Sequence, residues 1–560
     1  MVRRRDFLKG LAGSAGLVLM QSGSLASSSE KMRSRCATTT LKGREFHLTL
    51  DPTIVNITGT PRPATLVNGM LPGPTLVWQE GDEVTIHVTN RLPYRSSIHW
   101  HGMVLPYRMD GVPGISFEGI APGETFTYRF KVNQSGTFWY HSHSGFQEQT
   151  GLHGALVILP KDKEPIDYDR QYVVSLSDWS DEKPESIYRK LKIMSDYYNF
   201  NQRTIGDLFQ EIAHDGLTTT WKRRSMWNKM RMSDRDLSDV TAYTYTYLLN
   251  GLTDAQNWTG RYRPGERLRL RLINQSAMTI FDLRIPGLKM TVVASDGNWV
   301  EPVAVDELRI GVAETYDVIV EPEGGDYALF AQSMDRSGFV AGTLSDRPNA
   351  RAQRPPMDAP QPLTMVDMGM GMKKMKGMTT TSHTPHPWPI TPLPRDPKSI
   401  SWTMHAKHPT YRLHDPGVGL RDNGRKVLTY GDLKNLFTTA DDPQPDREIV
   451  MHLTGNMERY IWSIDGIEYD DAPPLQFHLG ERLRVTFVND TMMYHPMHLH
   501  GMWSDLETGD ETRLVRKHTV LVPPGNKISY RVTVDAPGAW AYHCHFLYHM
   551  GGMFRRVEVV

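Results

Sequence analysis

The chain has 560 residues, and its 63 lysines and arginines are balanced by 63 aspartates and glutamates. With no net charge and no dominant basic block after the first few residues, nucleic acid is excluded as an expected partner. No stretch supplies the roughly 20 apolar residues needed to span a bilayer, and the length predicts about three to four domains at ~150 residues each.

Residues 1–26 read as an address rather than as fold. Arg4-Arg5-Asp6-Phe7-Leu8-Lys9 precedes a short apolar stretch from Leu11 to Met20, and then Ser24-Leu25-Ala26 offers small residues for cleavage. This is the pattern of a twin-arginine signal, so the mature protein is expected to be exported, most simply to a bacterial periplasm. Cys36 follows in what reads as a loose N-terminal arm.

Three segments then repeat one pattern. The first is Leu66-Val67-Asn68-Gly69 followed by Gly81 to Asn90. The second is Leu248-Leu249-Asn250-Gly251 followed by Gly265 to Asn274, and the third is Ser463-Ile464-Asp465-Gly466 followed by Gly480 to Asn489. Each has a turn, a Gly-acidic pair and an alternating strand of the half-buried kind. The repeats predict three β-sandwich domains of one type, over 37–160, 161–345 and 398–560.

Two segments interrupt the scheme. Residues 184–239 turn helical, with Ile205, Leu208, Phe209 and Ile212 on one face, and read as an insertion packed on the second domain; Met226, Met230 and Met232 lie close together in it. Residues 346–397 read as a Pro-rich linker, which holds Met365, Met368, Met370, Met372, Met375 and Met378 spaced by Gly and Lys. Such spacing forms no continuous apolar face, and thioethers are soft ligands that favour Cu(I). A recruitment segment is the expectation, with His383 and His386 nearby.

Ten of the chain's 22 histidines fall in four short motifs. They are His99-Trp100-His101, His141-Ser142-His143, His495-Pro496-Met497-His498-Leu499-His500, and His543-Cys544-His545 with His549 and Met553 beyond. In a strand successive side chains face opposite ways, so His543 and His545 share one face while Cys544 takes the other. One strand can therefore bridge two metal sites. A thiolate with two histidines and a weak thioether suits a blue-copper centre, whereas structural zinc wants more cysteines. The corresponding strand of the middle repeat ends in Ala331-Gln332-Ser333, without histidine, so the first and third domains are expected to carry the metal. The other histidines, among them His87, His153, His452, His478 and His518, read as ordinary core or surface residues.

These motifs resemble those of the multicopper oxidases, in particular the bacterial copper-resistance protein A type, over nearly the whole mature chain. The resemblance implies an all-β fold of three cupredoxin-like Greek-key sandwiches and four copper ions. His495, Cys544 and His549 would hold the blue (type 1) copper with Met553 axial. His99 and His498 would hold the type 2 ion, and His101, His141, His143, His500, His543 and His545 the type 3 pair. A Cys36–Cys544 disulfide would remove the thiolate and is not expected. Electrons would pass along Cys544 to a cluster that reduces dioxygen to water, with Asp110 as the proton-donating carboxylate. The sequence departs from the pattern twice. Met550 stands where relatives often have a second acid, and Met553 follows His549 by four residues instead of five, with Phe554 in the usual place. The expected reductant is Cu(I), with small aromatic compounds as further substrates, and the expected state is a monomer. A copper-sequestering protein with incidental oxidase activity, or a laccase-like phenol oxidase, is the competing reading.

Overall fold

A computed structural model of the chain describes residues 39–370, 401–439 and 442–560. The expectations for residues 1–26, Cys36, Met372, Met375, Met378, His383 and His386 lie outside the described residues.

Asn68-Gly69, Asn250-Gly251 and Asp465-Gly466 take positive φ at both residues, between bridged partners Val67 and Met70, Leu249 and Leu252, and Ile464 and Ile467. That is the two-residue hairpin turn whose twist matches paired strands, and it selects Asn or Asp followed by Gly. The alternating segments form the strands Glu83–Asn90, Leu268–Asn274 and Arg482–Asn489. Each pairs parallel with Glu45–Asn56, Arg170–Ser180 or Arg447–Asn456. On its other side each pairs antiparallel with Thr125–Lys131, Thr315–Val320 or Lys527–Thr533. The three repeats are thus one topology built three times.

Among the described residues six sheets result, of five and four strands in the first domain and of six and five in each of the others. Val84, Ile86 and Val88 alternate into the first core, with the intervening residues half-exposed. Leu268–Asn274 is buried on both faces, because Arg269 and Arg271 turn toward the first domain. Both approach Asp317, which also accepts a hydrogen bond from Thr137 at 2.7 Å. This buried ionic cluster ties the middle domain to the strand that ends at His141.

The region of residues 184–239 holds the helices α1 (Pro184–Ile193), α2 (Ile205–Asp215) and α3 (Leu217–Met230). Thr204 and Asp207 close a capping box at the start of α2. α1 and α3 bury Ile187, Leu191 and Trp227. The expected packing of the α2 face is not observed: Ile205 and Phe209 are exposed, and α2 buries no residue fully.

Residues 346–370 do not behave as a linker. Met368 is fully buried, and Met365 and Met370 pack half-buried against the same core. Arg412 donates to the Asp367 carbonyl at 2.8 Å and Arg421 pairs with the Asp367 carboxylate at 2.6 Å, which pins this turn to the third domain. Met368 is therefore packed in the core instead of standing in an open linker. Among the described residues no helix is long and apolar enough to cross a membrane.

Candidate metal centres

The His-x-His motifs sit on matching strands of the outer domains. His99–His101 pairs with Gly136–His141 so that His99 faces His141, and His495–Leu499 pairs with Gly538–Cys544 so that His498 faces His543. In the middle domain the equivalent pair sets Asp282 opposite Gln332, and Arg309 and Arg336 neutralise Asp282 at 2.7 Å each. A buried ion cluster stands there in place of metal ligands.

Eight imidazoles from the first and third domains converge between them. His101, His141 and His545 offer ring nitrogens within 4.8 Å of one another, as do His143, His500 and His543. His99 Nε2 and His498 Nε2 face each other at 3.4 Å. The outward nitrogens fix the ring states. His99 Nδ1 donates to the Asp110 carbonyl at 2.8 Å, His498 Nδ1 to the His518 carbonyl at 2.6 Å, and His543 Nδ1 to the Cys544 carbonyl at 3.0 Å. His500 Nδ1 donates to Asp110 Oδ2 at 2.9 Å. A carbonyl or carboxylate only accepts, so each of these rings keeps its proton on Nδ1 and turns an Nε2 lone pair inward.

The inward atoms then meet, and for His500 and His543 there is no proton to share. His500 Nε2 lies 3.0 Å from His543 Nε2, and His141 Nε2 lies 3.2 Å from His545 Nε2. Burial, followed by the neighbouring rings, holds His141, His143, His498, His500 and His545 well below the ordinary imidazole range, and burial takes His543 to about 3. These rings are neutral bases at any physiological pH. His101 is turned the other way: its Nε2 is bonded outward to Thr519 Oγ1 at 3.0 Å, while its Nδ1 is buried without a hydrogen-bond partner. Facing lone pairs and an orphaned ring nitrogen are what a set of metal ligands presents, so the residues fit a copper cluster.

The second site is built on the opposite face of the same strand. Cys544 Sγ lies 3.6 Å from His495 Nδ1 and 3.6 Å from His549 Nδ1, and the two nitrogens are 3.3 Å apart. His549 Nε2 donates to Asp239 Oδ2 at 2.6 Å, which again leaves the inward nitrogen as the base. Burial pushes the Cys544 thiol up, and a bound cation would ionise it. Cys544 is a buried thiol without a disulfide partner among the described residues.

The geometry also separates Met553 from Phe554. Phe554 is paired with His543 in the sheet and stacks on its ring at 5.2 Å, so it lies on the cluster side. Met553, in the turn just before it, is fully buried, and its carbonyl accepts from the Cys544 amide at 3.0 Å.

Asp110 is fully buried, with Oδ1 lacking an aligned partner 3.2 Å from His99 Nδ1. Gly111 makes this possible: its φ is +83°, and a Cβ there would sit 1.8 Å from the Ile98 carbonyl oxygen. Three residues around the sites escaped the sequence reading. Glu148 is buried with Oε2 2.9 Å from His141 Nδ1 and Oε1 4.0 Å from His545 Nδ1, and burial raises its carboxyl well above the usual range. Asp239 orients His549. His518 is a core residue as expected, yet its Nδ1 lies 3.1 Å from His101 Nε2, and Asp296 bonds its amide. His153, also buried, is bonded to Gln275 at 3.0 Å.

Family models described as multicopper oxidase match residues 50–163, 170–352 and 442–560. The chain is 52% identical to copper resistance protein A of Escherichia coli and 53% identical to copper resistance protein A of Pseudomonas syringae pv. tomato, over 99% of both chains in each case. Among solved structures it resembles the multicopper oxidase Fet3p, with a TM-score of 0.66 and 20% identity over 93% of this chain and 90% of that one.

Proposed function

The chain belongs to the multicopper oxidases, and on that premise we propose that it oxidises Cu(I) one electron at a time, with phenolic compounds as further reductants, and reduces dioxygen to water in the service of copper resistance. The copper resistance proteins that share half its residues over their full length support the biological setting. One observation carries the mechanism: Cys544 faces one histidine site while His543 and His545, bonded to it through single peptide links, face the other.

His495, Cys544 and His549, with Met553, would hold the type 1 ion; His99 and His498 the type 2 ion; and His101, His141, His545 and His143, His500, His543 the type 3 pair. Copper bound there supplies a one-electron acceptor at Cys544 and a multi-electron reductant for dioxygen at the histidine cluster. The protein supplies the rest. Asp239 holds His549 in the tautomer that presents Nδ1. Carbonyl acceptors do the same for the cluster rings, and burial keeps water and stray protons from them. Asp110, bonded through Oδ2 to His500 and with Oδ1 beside His99, is the group suited to hand protons to the reduced oxygen. Export by the twin-arginine route to the periplasm, and a monomeric state, complete the proposal. Met365 and Met370, with Met372, Met375 and Met378, remain candidates for Cu(I) recruitment.

Dioxygen uptake by copper-loaded protein tests the reading. The expected result is consumption on adding Cu(I) with no peroxide released; uptake with neither Cu(I) nor a phenol contradicts it.

A further inference from the structure

None of the proposed copper ligands comes from the middle domain, yet one of its turns reaches the cluster. The link is a tripeptide of the third domain, Lys517-His518-Thr519, which contacts two of the inward-facing rings. His498 Nδ1 donates to the His518 carbonyl at 2.6 Å, and His101 Nε2 lies 3.0 Å from Thr519 Oγ1 and 3.1 Å from His518 Nδ1. A ring held at one nitrogen is aimed at the other. The tripeptide therefore sets the direction of His498 Nε2 and of His101 Nδ1, the nitrogen buried without a hydrogen-bond partner.

What holds the tripeptide is Asp296, fully buried in the middle domain. Its Oδ2 accepts from the His518 and Thr519 amides at 3.1 Å each, while its Oδ1 accepts from the Thr315 amide at 2.9 Å. The buried Lys517 ammonium lies 3.1 Å from Asp296 Oδ2 and 3.1 Å from Glu314 Oε1. Exchanging such a buried ionic cluster for apolar packing is often neutral or stabilising, so adhesion between domains does not by itself account for it. The turn is also fitted without slack. Asp296 and Gly297 take φ of 47° and 78° between the strands Met290–Ser295 and Asn298–Val305, and a Cβ on Gly297 would sit 2.3 Å from Phe138 Cζ of the first domain. At the far end a Cβ on Gly102 would sit 2.4 Å from His518 Cδ2.

We propose that Asp296 is a positioning residue for the copper cluster, aiming His498 and His101 inward by fixing the backbone of His518 and Thr519. The inference rests on the multicopper oxidase reading and gives the domain without ligands a part in it. Asp296 works through the peptide links of the tripeptide, with the His518 carbonyl carrying its effect to the ion that His99 and His498 would hold. A partner of a ligand that orients it in this way changes metal affinity when removed. Glu314 is the internal contrast: it shares Lys517 equally, but its other bonds go to the Gly311 amide and to Tyr430.

Asparagine at 296 has one acceptor oxygen, so it serves either the Thr315 amide or the amides of His518 and Thr519. Lys517 keeps Glu314, which leaves no stranded cation. Copper-loaded Asp296→Asn is expected to bind its type 2 copper about tenfold or more weakly in chelator competition. Its type 2 electron paramagnetic resonance signal should be shifted or missing, while the thiolate charge-transfer band, which reports the fold and the Cys544 site, matches wild type. Asp296→Ser is less crowded and gives the same reading should the asparagine variant not fold. Glu314→Gln, which perturbs the same ionic cluster, should keep the type 2 signal. A wild-type signal and affinity in a folded Asp296 variant, equal loss in Glu314→Gln, or loss of the thiolate band in both Asp296 variants overturns the positioning role. If wild type itself lacks a type 2 signal, the oxidase reading falls with it; if wild type has the signal and the variants share it, this inference alone falls.

Discussion

Replacing Asp110 with asparagine separates two roles that the structure sets apart by magnitude. The side chain makes one aligned charge-assisted bond, from His500 Nδ1 to Oδ2 at 2.9 Å, and leaves Oδ1 without an aligned partner. Asparagine keeps a carbonyl acceptor for His500, so the structural loss is the difference between a charged and a neutral bond, about 1 kcal/mol. That amounts to less than about tenfold in rate. Loss of the proton donor is larger, about 10²–10⁴-fold. Stopped-flow reoxidation of fully reduced Asp110→Asn should therefore slow by at least about 10²-fold, while anaerobic reduction of its blue copper proceeds at the wild-type rate. Reoxidation within about tenfold of wild type would show that Asp110 only orients His500.

Cys544→Ser should abolish the blue band and turnover while calorimetry still shows a cooperative unfolding transition, since the β core is untouched; retained oxidase activity would contradict the assignment. Asp239→Asn removes the negative charge bonded to His549 and should raise the blue-copper potential in a redox titration. Met368→Ala should lower stability by about 2–5 kcal/mol in denaturant titration, as a core truncation does, whereas Met365→Ala should cost much less. Hydrogen bonding by Arg224, then Arg223, holds Glu211 at about 2 against its ordinary 4.5, and after solvent screening of these surface pairs this contributes about 1 kcal/mol to the α2–α3 hairpin. The folded pKa is depressed, so this stabilisation is complete above about 4.5 and is lost as pH falls toward 2. Amide exchange in residues 205–230 should accelerate across that window, and Glu211→Gln should flatten the dependence.

The fold was legible because its signals are local. Asn-Gly or Asp-Gly before an alternating strand specifies a hairpin turn and a half-buried face, and three copies specify three domains. The placing of two histidine clusters on either side of one strand was legible because alternation alone puts Cys544 on one face and His543 and His545 on the other. What stayed hidden depends on contacts distant in sequence. Glu148 follows His143 by five residues in an unremarkable polar turn, and only the approach of the third domain brings His545 within 4.0 Å of it. Asp239 lies 310 residues from His549, and no spacing rule links them. Met368 looked like one methionine among many in a low-complexity run, but Arg412 and Arg421 of the third domain pull its turn into the core. The α2 face was read correctly as apolar, yet periodicity says nothing about what such a face meets, and Ile205 and Phe209 meet solvent.

The central claim is that one strand, Gly538–Cys544 with His545 beyond it, joins a cysteine–histidine site to a cluster of eight imidazoles. Copper analysis with the visible spectrum of the reconstituted protein tests it most directly, read beside a His500→Ala variant. The account predicts about four coppers per chain and an intense thiolate charge-transfer band in wild type, with the variant keeping the band while losing cluster copper. One copper per chain, or loss of the band together with the cluster copper, would contradict two sites built on opposite faces of the same strand.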